Sequence, residues 1–150
     1  MRPSAAMTDA WVLDASIAIR WVLDDQARPQ TDDLLARASV DDVHVPDIWR
    51  YEVAQVVVRQ HRECGRAGYR ALELANRLYG LALLVDQPLT WSRVLHCIGW
   101  STGLGVKLPD AVYVDLAYRR GLPLATLDRK QAEAAKQPGV RIIWPLPDLA

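Results

Sequence analysis

The sequence predicts an α/β domain in three layers, a mostly parallel five-stranded sheet with helices on both faces. The chain has 150 residues, 51% of them hydrophobic, which suits one domain with one sizeable core. Five apolar runs recur along it, each only a few residues long, as buried strands are. Amphipathic stretches lie between them, and strands alternating with helices imply a parallel sheet covered on both sides.

Taken in order, residues 1–9 read as a loose polar leader, with Met7 as an alternative start, and 10–150 as a single domain. The run Ala10–Leu13 is the first strand, and Asp14 and Ser16 then cap a helix over Ser16–Asp24. Gln30–Ser39 is a second helix and Val43–Val45 a second strand. Asp47–Glu63 follows as a helix whose Ile48, Glu52 and Val56 share one face, divided near Gly65 from a helix over Gly65–Tyr79. Leu81–Val85 is the third strand. Thr90–Thr102 is helical, with Trp91, Val94, Leu95 and Ile98 recurring at helical spacing as core residues or, alternatively, a dimer face. Pro109–Arg120 has Pro and Asp in its first turn, where both are at home. Leu122–Leu127 is the fourth strand, Asp128–Lys136 a helix opened by Asp128 and Gln131 in the manner of a capping box, and Val140–Trp144 the fifth strand.

The charge balance is 18 basic against 18 acidic residues, a net charge of zero, so any nucleic-acid surface must be a local patch. Two cysteines, Cys64 and Cys97, stand far apart in no metal-binding spacing, which points to a reducing cytoplasm. The longest apolar runs are too short to span a bilayer, and no membrane association is expected.

In a parallel α/β sheet the functional crevice lies beyond the carboxyl ends of the strands. Asp14 and Asp128 each follow a predicted strand at once, Asp110 opens the helix leading into the fourth strand, and Glu52 interrupts an apolar helix stripe. Each has a structural reading of its own: helix caps for Asp14, Asp110 and Asp128, and a salt bridge to Arg59 or to a neighbouring helix for Glu52. Together they form a carboxylate cluster at one sheet edge. Such a cluster repels itself unless a divalent cation is present, and oxygen-only ligands suit Mg²⁺ or Mn²⁺. That chemistry activates water and stabilises phosphoryl charge in an in-line displacement. Asp115 in the same helix as Asp110 reads mainly as a surface ion pair with Arg119.

The segments Val12-Leu-Asp-Ala-Ser16, Pro46-Asp-Ile-Trp-Arg-Tyr-Glu52, Pro109-Asp-Ala-Val-Tyr-Val114 and Leu124-Ala-Thr-Leu-Asp128, in that order and spacing, resemble the PIN-domain superfamily and within it the VapC-type toxins of bacterial toxin–antitoxin pairs. The resemblance runs from Trp11 to Trp144. It implies a Mg²⁺- or Mn²⁺-dependent endoribonuclease. Asp14, Glu52, Asp110 and Asp128 match the family's four acids, which hold the metal and complete the pocket. Ser16 and Thr126 match hydroxyl positions that steady the carboxylates. It further implies a homodimer and a cognate antitoxin whose tail enters the active-site groove. Asp115, an extra acid, and Pro109 depart from the pattern.

Arg119, Arg120, Arg129 and Lys130 bracket the fourth strand and are candidates for RNA phosphate contact. Arg59, Arg62, Arg66 and Arg70 around Gly65 read as a solvated helix end. Trp21 and Trp49 read as core, and His44, His61 and His96 sit in no catalytic arrangement. Two other readings compete. A phosphoacceptor receiver domain would share the α/β fold and a strand-end acid, as in Leu81-Ala-Leu-Leu-Val-Asp86, but it needs an acid pair after the first strand, where Asp14 stands alone. A non-catalytic RNA-binding or assembly module would share the fold without needing the acid quartet.

Overall fold

The structure is a computed structural model and describes residues 9–22, 29–64 and 69–143. The leader with Met7, the predicted helix end at Asp24, the turn at Gly65 with Arg66, and Trp144 lie outside the described residues.

The elements follow the chain as β1 (Ala10–Leu13), α1 (Ala15–Val22), α2 (Pro29–Ala38), β2 (Asp42–Val45), α3 (Ile48–Cys64), α4 (Tyr69–Tyr79), β3 (Leu84–Val85), α5 (Trp91–Leu104), α6 (Leu108–Arg120), β4 (Leu124–Ala125), α7 (Arg129–Lys136) and β5 (Ile142–Ile143). The five strands form one sheet in the order β3-β2-β1-β4-β5. Every neighbouring pair is parallel, with Val12 level with His44 on one side and Leu124 on the other.

β1 sits at the centre, and Trp11, Val12 and Leu13 are all fully buried. A strand covered on both faces needs apolar residues at every position rather than at alternate ones, which is what this run supplies. The last three strands are shorter than their apolar runs. Gly121 ends α6 in the left-handed conformation (φ 63°), and the Leu122 N–H turns back to the Ala117 carbonyl at 2.9 Å, so Leu122 closes a helix before the strand begins. Val140 closes α7 in the same way, its N–H reaching the Ala135 carbonyl at 3.1 Å.

The strand order excludes the receiver reading. In that fold β1 lies between β2 and β3, whereas here it lies between β2 and β4. Asp86 therefore follows an edge strand, and its carboxylate is occupied by Arg119 and Arg120, each at 2.7 Å.

α6 is the central helix, with residues 111–117 all buried. It packs against α5, α7 and β1. Asp115 corrects the sequence reading. It is 1% exposed, not a surface residue, and accepts hydrogen bonds from Arg93 (2.8 and 3.2 Å), Trp100 Nε1 (3.1 Å) and Arg119 Nε (2.8 Å). Spacing at i,i+4 found the Arg119 partner, but Arg93 and Trp100 come from α5, beyond the reach of local pattern.

The α5 stripe also corrects the core reading. Trp91, Leu95 and Ile98 are 71%, 52% and 41% exposed. α5 turns its other side to α6, where Cys97 is buried and free and Arg93 and Trp100 reach Asp115. Trp49 is core as expected, and Trp21 packs on the core with its N–H donated to the Thr31 carbonyl at 2.7 Å. No helix among the described residues is long and apolar enough to cross a membrane.

Candidate active site

The site forms where β1 and β4 end side by side. The Asp14 N–H donates to the Ala125 carbonyl at 2.9 Å, which fixes the first acid against the neighbouring strand. The Asp14 side chain is 7% exposed and caps α1: its Oδ2 accepts the Ser16 N–H at 3.2 Å and the Ser16 hydroxyl at 2.5 Å. Ser16 Oγ in turn accepts the Leu127 N–H at 3.2 Å, tying the loop after β4 to α1. The capping reading of Asp14 is correct, and it leaves Asp14 Oδ1 turned to a second network.

That second network centres on Gln131, which the sequence reading treated only as half of a capping box. Half of that box forms: Asp128 Oδ1 accepts the Gln131 N–H at 3.1 Å. The return bond does not, because the Asp128 N–H is taken by Thr126 Oγ1 at 3.0 Å. The Gln131 side chain is fully buried and turns inward. Its Nε2 lies 3.4 Å from both Asp14 Oδ1 and the Asp110 carbonyl, and its Oε1 accepts the Thr126 hydroxyl at 2.7 Å. Thr126 Oγ1 also lies 3.3 Å from Asp14 Oδ2.

Glu52 and Asp110 come from α3 and from the first turn of α6, and both are half-buried. The hydrogen-bond partner of Glu52 is Tyr113, whose hydroxyl donates to Oε1 at 2.8 Å. Tyr113 is fully buried, one turn along α6 from Asp110, and was not singled out from the sequence. Asp128 is exposed at the start of α7.

Two of the acids, Glu52 and Asp110, feel the charges of other members of the set. Burial raises Glu52 from 4.5 to about 7, partly offset by the Tyr113 bond, with the charges of Asp14 and Asp110 pushing further upward. Asp110 rises from 3.8 to about 6 through burial and then the charges of Asp128 and Asp14, against the opposing pull of Lys107 and Lys130. Asp14 is raised by burial against the lowering effect of its bonds to Ser16, Gln131 and Thr126. The buried Tyr113 hydroxyl is held well above its ordinary range, first by burial and then by the charges of Asp14 and Glu52.

Among the described residues no three His, Cys, Asp or Glu side chains are drawn together closely enough to hold an ion, so the quartet is an open arrangement. Its donor chemistry still fits a hard divalent cation. All four side chains offer carboxylate oxygens, and Glu52 and Asp110 each carry like-charge repulsion that a cation would relieve.

Of the basic candidates, Lys130 is felt by Asp110, as is Lys107, which spacing did not suggest. Arg129 is exposed in the first turn of α7. Arg119 is bonded to Asp115 and Asp86, and Arg120 to Asp86. Arg59 and Arg62 are exposed on α3, whereas Arg66 and the Arg70 side chain lie outside the described residues. A separate groove of about 430 Å³, lined by Trp49, Val53, Val57, Leu78, Leu81 and Leu83 among others, is apolar and contains none of the four acids.

A family model described as PIN domain matches residues 11–137. Among curated proteins none matches. Solved structures share the fold at low identity. PAE2754 from Pyrobaculum aerophilum superposes with a TM-score of 0.63 at 19% identity, covering 90% of this chain and 83% of that one. VapBC2 from Rickettsia felis, bound to a DNA fragment from its promoter, gives 0.65 at 11% identity, covering 90% and 98%. FitAcB from Neisseria gonorrhoeae gives 0.63 at 17% identity, covering 89% and 96%.

Proposed function

The chain belongs to the PIN-domain family, and from that premise we propose that it is a Mg²⁺- or Mn²⁺-dependent endoribonuclease, the toxin of a toxin–antitoxin pair. The observation that carries the reading is that Glu52 and Asp110 each feel the charges of other members of the acid set. Asp14, Glu52, Asp110 and Asp128 come from four separate segments, yet Glu52 responds to Asp14 and Asp110, and Asp110 to Asp14 and Asp128. A non-catalytic RNA-binding module has no use for such a cluster, which repels phosphate.

Asp14, Asp110 and Asp128 would hold the ion, with Glu52 binding it directly or through water. A bound divalent ion supplies positive charge to the phosphoryl oxygens and acidifies water. The chain's own groups do the rest. Ser16 steadies Asp14 from the Oδ2 side, and Thr126 acts on it through Gln131. Tyr113 occupies Glu52 Oε1, leaving Oε2 to reach the ion directly or through water. Lys107 and Lys130, whose charges reach Asp110, and the exposed Arg129 beside Asp128 are assigned to RNA phosphates. In-line attack by water with departure of the 3′ oxygen leaves 5′-phosphate and 3′-hydroxyl ends.

The partners follow from the same reading. A segment of a cognate antitoxin that enters this groove must bring positive charge to sit among four acids. A second copy is assigned to the exposed face of α5. Trp91 and Gly99 lie four residues either side of Leu95, about 6 Å each way along the helix. A twofold axis through Leu95 sets each Trp91 against the other copy's Gly99, where a Cβ would meet nothing within 4 Å.

The deciding experiment is cleavage of a mixed RNA pool by purified, antitoxin-free protein with Mg²⁺, with Mn²⁺ and with chelator, beside Asp14→Asn. Cleavage that requires both metal and Asp14 is expected. Full activity in Asp14→Asn overturns the assigned site, and no cleavage by folded protein favours the non-catalytic module.

A further inference from the structure

We infer that Gln131 is a positioning residue for the acid site, setting the orientation of the Asp14 carboxylate and linking it to the loop after β4 and the first turn of α6, which lead to Asp128 and bear Asp110. The inference rests on the proposed function and deepens it.

The argument starts from the direction of one proton. Thr126 Oγ1 already accepts the Asp128 N–H at 3.0 Å, so its own hydrogen is free to be donated. Its shortest acceptor is Gln131 Oε1, at 2.7 Å against 3.3 Å for Asp14 Oδ2. This fixes which way the Gln131 amide faces, with its carbonyl on Thr126 and its NH₂ toward Asp14 Oδ1 and the Asp110 carbonyl. Both amide hydrogens and the amide oxygen then have partners, as a fully buried amide requires.

The chemical choice is specific. A lysine here would place a permanent positive charge beside Asp14 and compete with any cation. A glutamate would accept from Thr126 but face Asp14 with a second carboxylate. The amide donates to the carboxylate while adding no charge. One side chain thereby links the end of β1 (Asp14), the loop after β4 (Thr126) and the first turn of α6 (Asp110), and its own backbone N–H is held by Asp128. Outer partners of this kind govern how well ligating carboxylates are aimed.

The test compares wild type, Gln131→Met and Gln131→Glu, with Asp14→Asn as control. It reads Mn²⁺ affinity by titration calorimetry, kcat and KM on RNA, and thermal melting. Methionine keeps the volume and helix propensity without the donor. The expected result for Gln131→Met is a loss of about 10- to 100-fold in Mn²⁺ affinity and kcat with KM unchanged, and Gln131→Glu does no better. Wild-type Mn²⁺ affinity and kcat in either folded variant overturns the inference, as does a lowered melting temperature with both unchanged. If Gln131→Met does not fold, Thr126→Val, which removes the proton that orients the amide, is expected to show the same loss of Mn²⁺ affinity, and wild-type affinity there overturns the inference. Failure of wild type itself to bind Mn²⁺ overturns the proposed function, and this inference with it. Tight Mn²⁺ binding by wild type and Gln131→Met alike overturns the inference alone.

Discussion

The hydroxyl of Tyr113 donates to Glu52 Oε1 at 2.8 Å, joining residues 61 positions apart, and this bond opposes the burial that raises Glu52. Removing it in Tyr113→Phe lets Glu52 rise further above about 7. In metal-free protein the Glu52 carboxyl of Tyr113→Phe should therefore titrate at higher pH than that of wild type. Side-chain carboxyl NMR titration in chelator checks this, and superimposable titrations count against the bond.

Metal-free protein should lose stability as pH rises. Glu52 and Asp110 bind protons more tightly folded, at about 7 and about 6, than at their ordinary 4.5 and 3.8. Between those limits the folded chain carries more protons than the unfolded one, so the unfolding free energy falls with pH across the window and levels off above it. Asp86 acts in the opposite sense: burial raises it, but its bonds to Arg119 and Arg120 win and hold it low, so its stabilising contribution is lost only in acid, below its ordinary 3.8. Melting in chelator should therefore give a higher transition temperature near pH 5 than near pH 8. Added Mn²⁺ should narrow that gap. An equal transition at both values contradicts the raised acids.

Asp115→Ala should destabilise the fold by about 3 kcal/mol or more, because it strips a buried carboxylate from Arg93, Arg119 and Trp100. An exposed pair would cost less than about 1 kcal/mol. Urea denaturation separates the two. The RNA-cleaving activity of the folded fraction should be retained, since Asp115 contacts none of the four acids.

Trp91→Ala and Gly99→Leu should both give monomers in light scattering after gel filtration, where wild type gives a dimer. Gly99→Leu adds a side chain into open space on the free subunit and replaces glycine in a helix interior, so it should melt no lower than the Trp91→Ala monomer. A stable dimer in both variants would move the contact elsewhere on the surface.

How much of this was legible in the sequence depends on the range of each interaction. The five apolar runs and helical periodicities are local signals, and they predicted the parallel sheet and every helix. The ends of β3, β4 and β5 were overestimated because Leu122 and Val140 are apolar yet close helices, and composition does not separate those roles. Three members of the proposed quartet stand at punctuation points of the chain, where a cap and a ligand look alike, and Asp14 and Asp128 do cap helices. Tyr113 and Gln131 were missed for a different reason. Each reads as an ordinary helix position, and only the fold brings it to an acid 61 or 117 residues away. The exposure of Trp91, Leu95 and Ile98 was equally hidden, since periodicity finds an apolar face without saying what covers it.

The placement of β1 between β2 and β4 has a consequence for the chain as it is made. Asp14 emerges 117 residues ahead of Gln131, its hydrogen-bond partner. Asp14 acquires Thr126 and Gln131 only when β4 has been laid beside β1, so no fragment ending before α7 contains a complete site. A chain cut short before α7 lacks Gln131, and one cut short before β4 lacks Thr126 as well, so the surroundings of Asp14 are finished late.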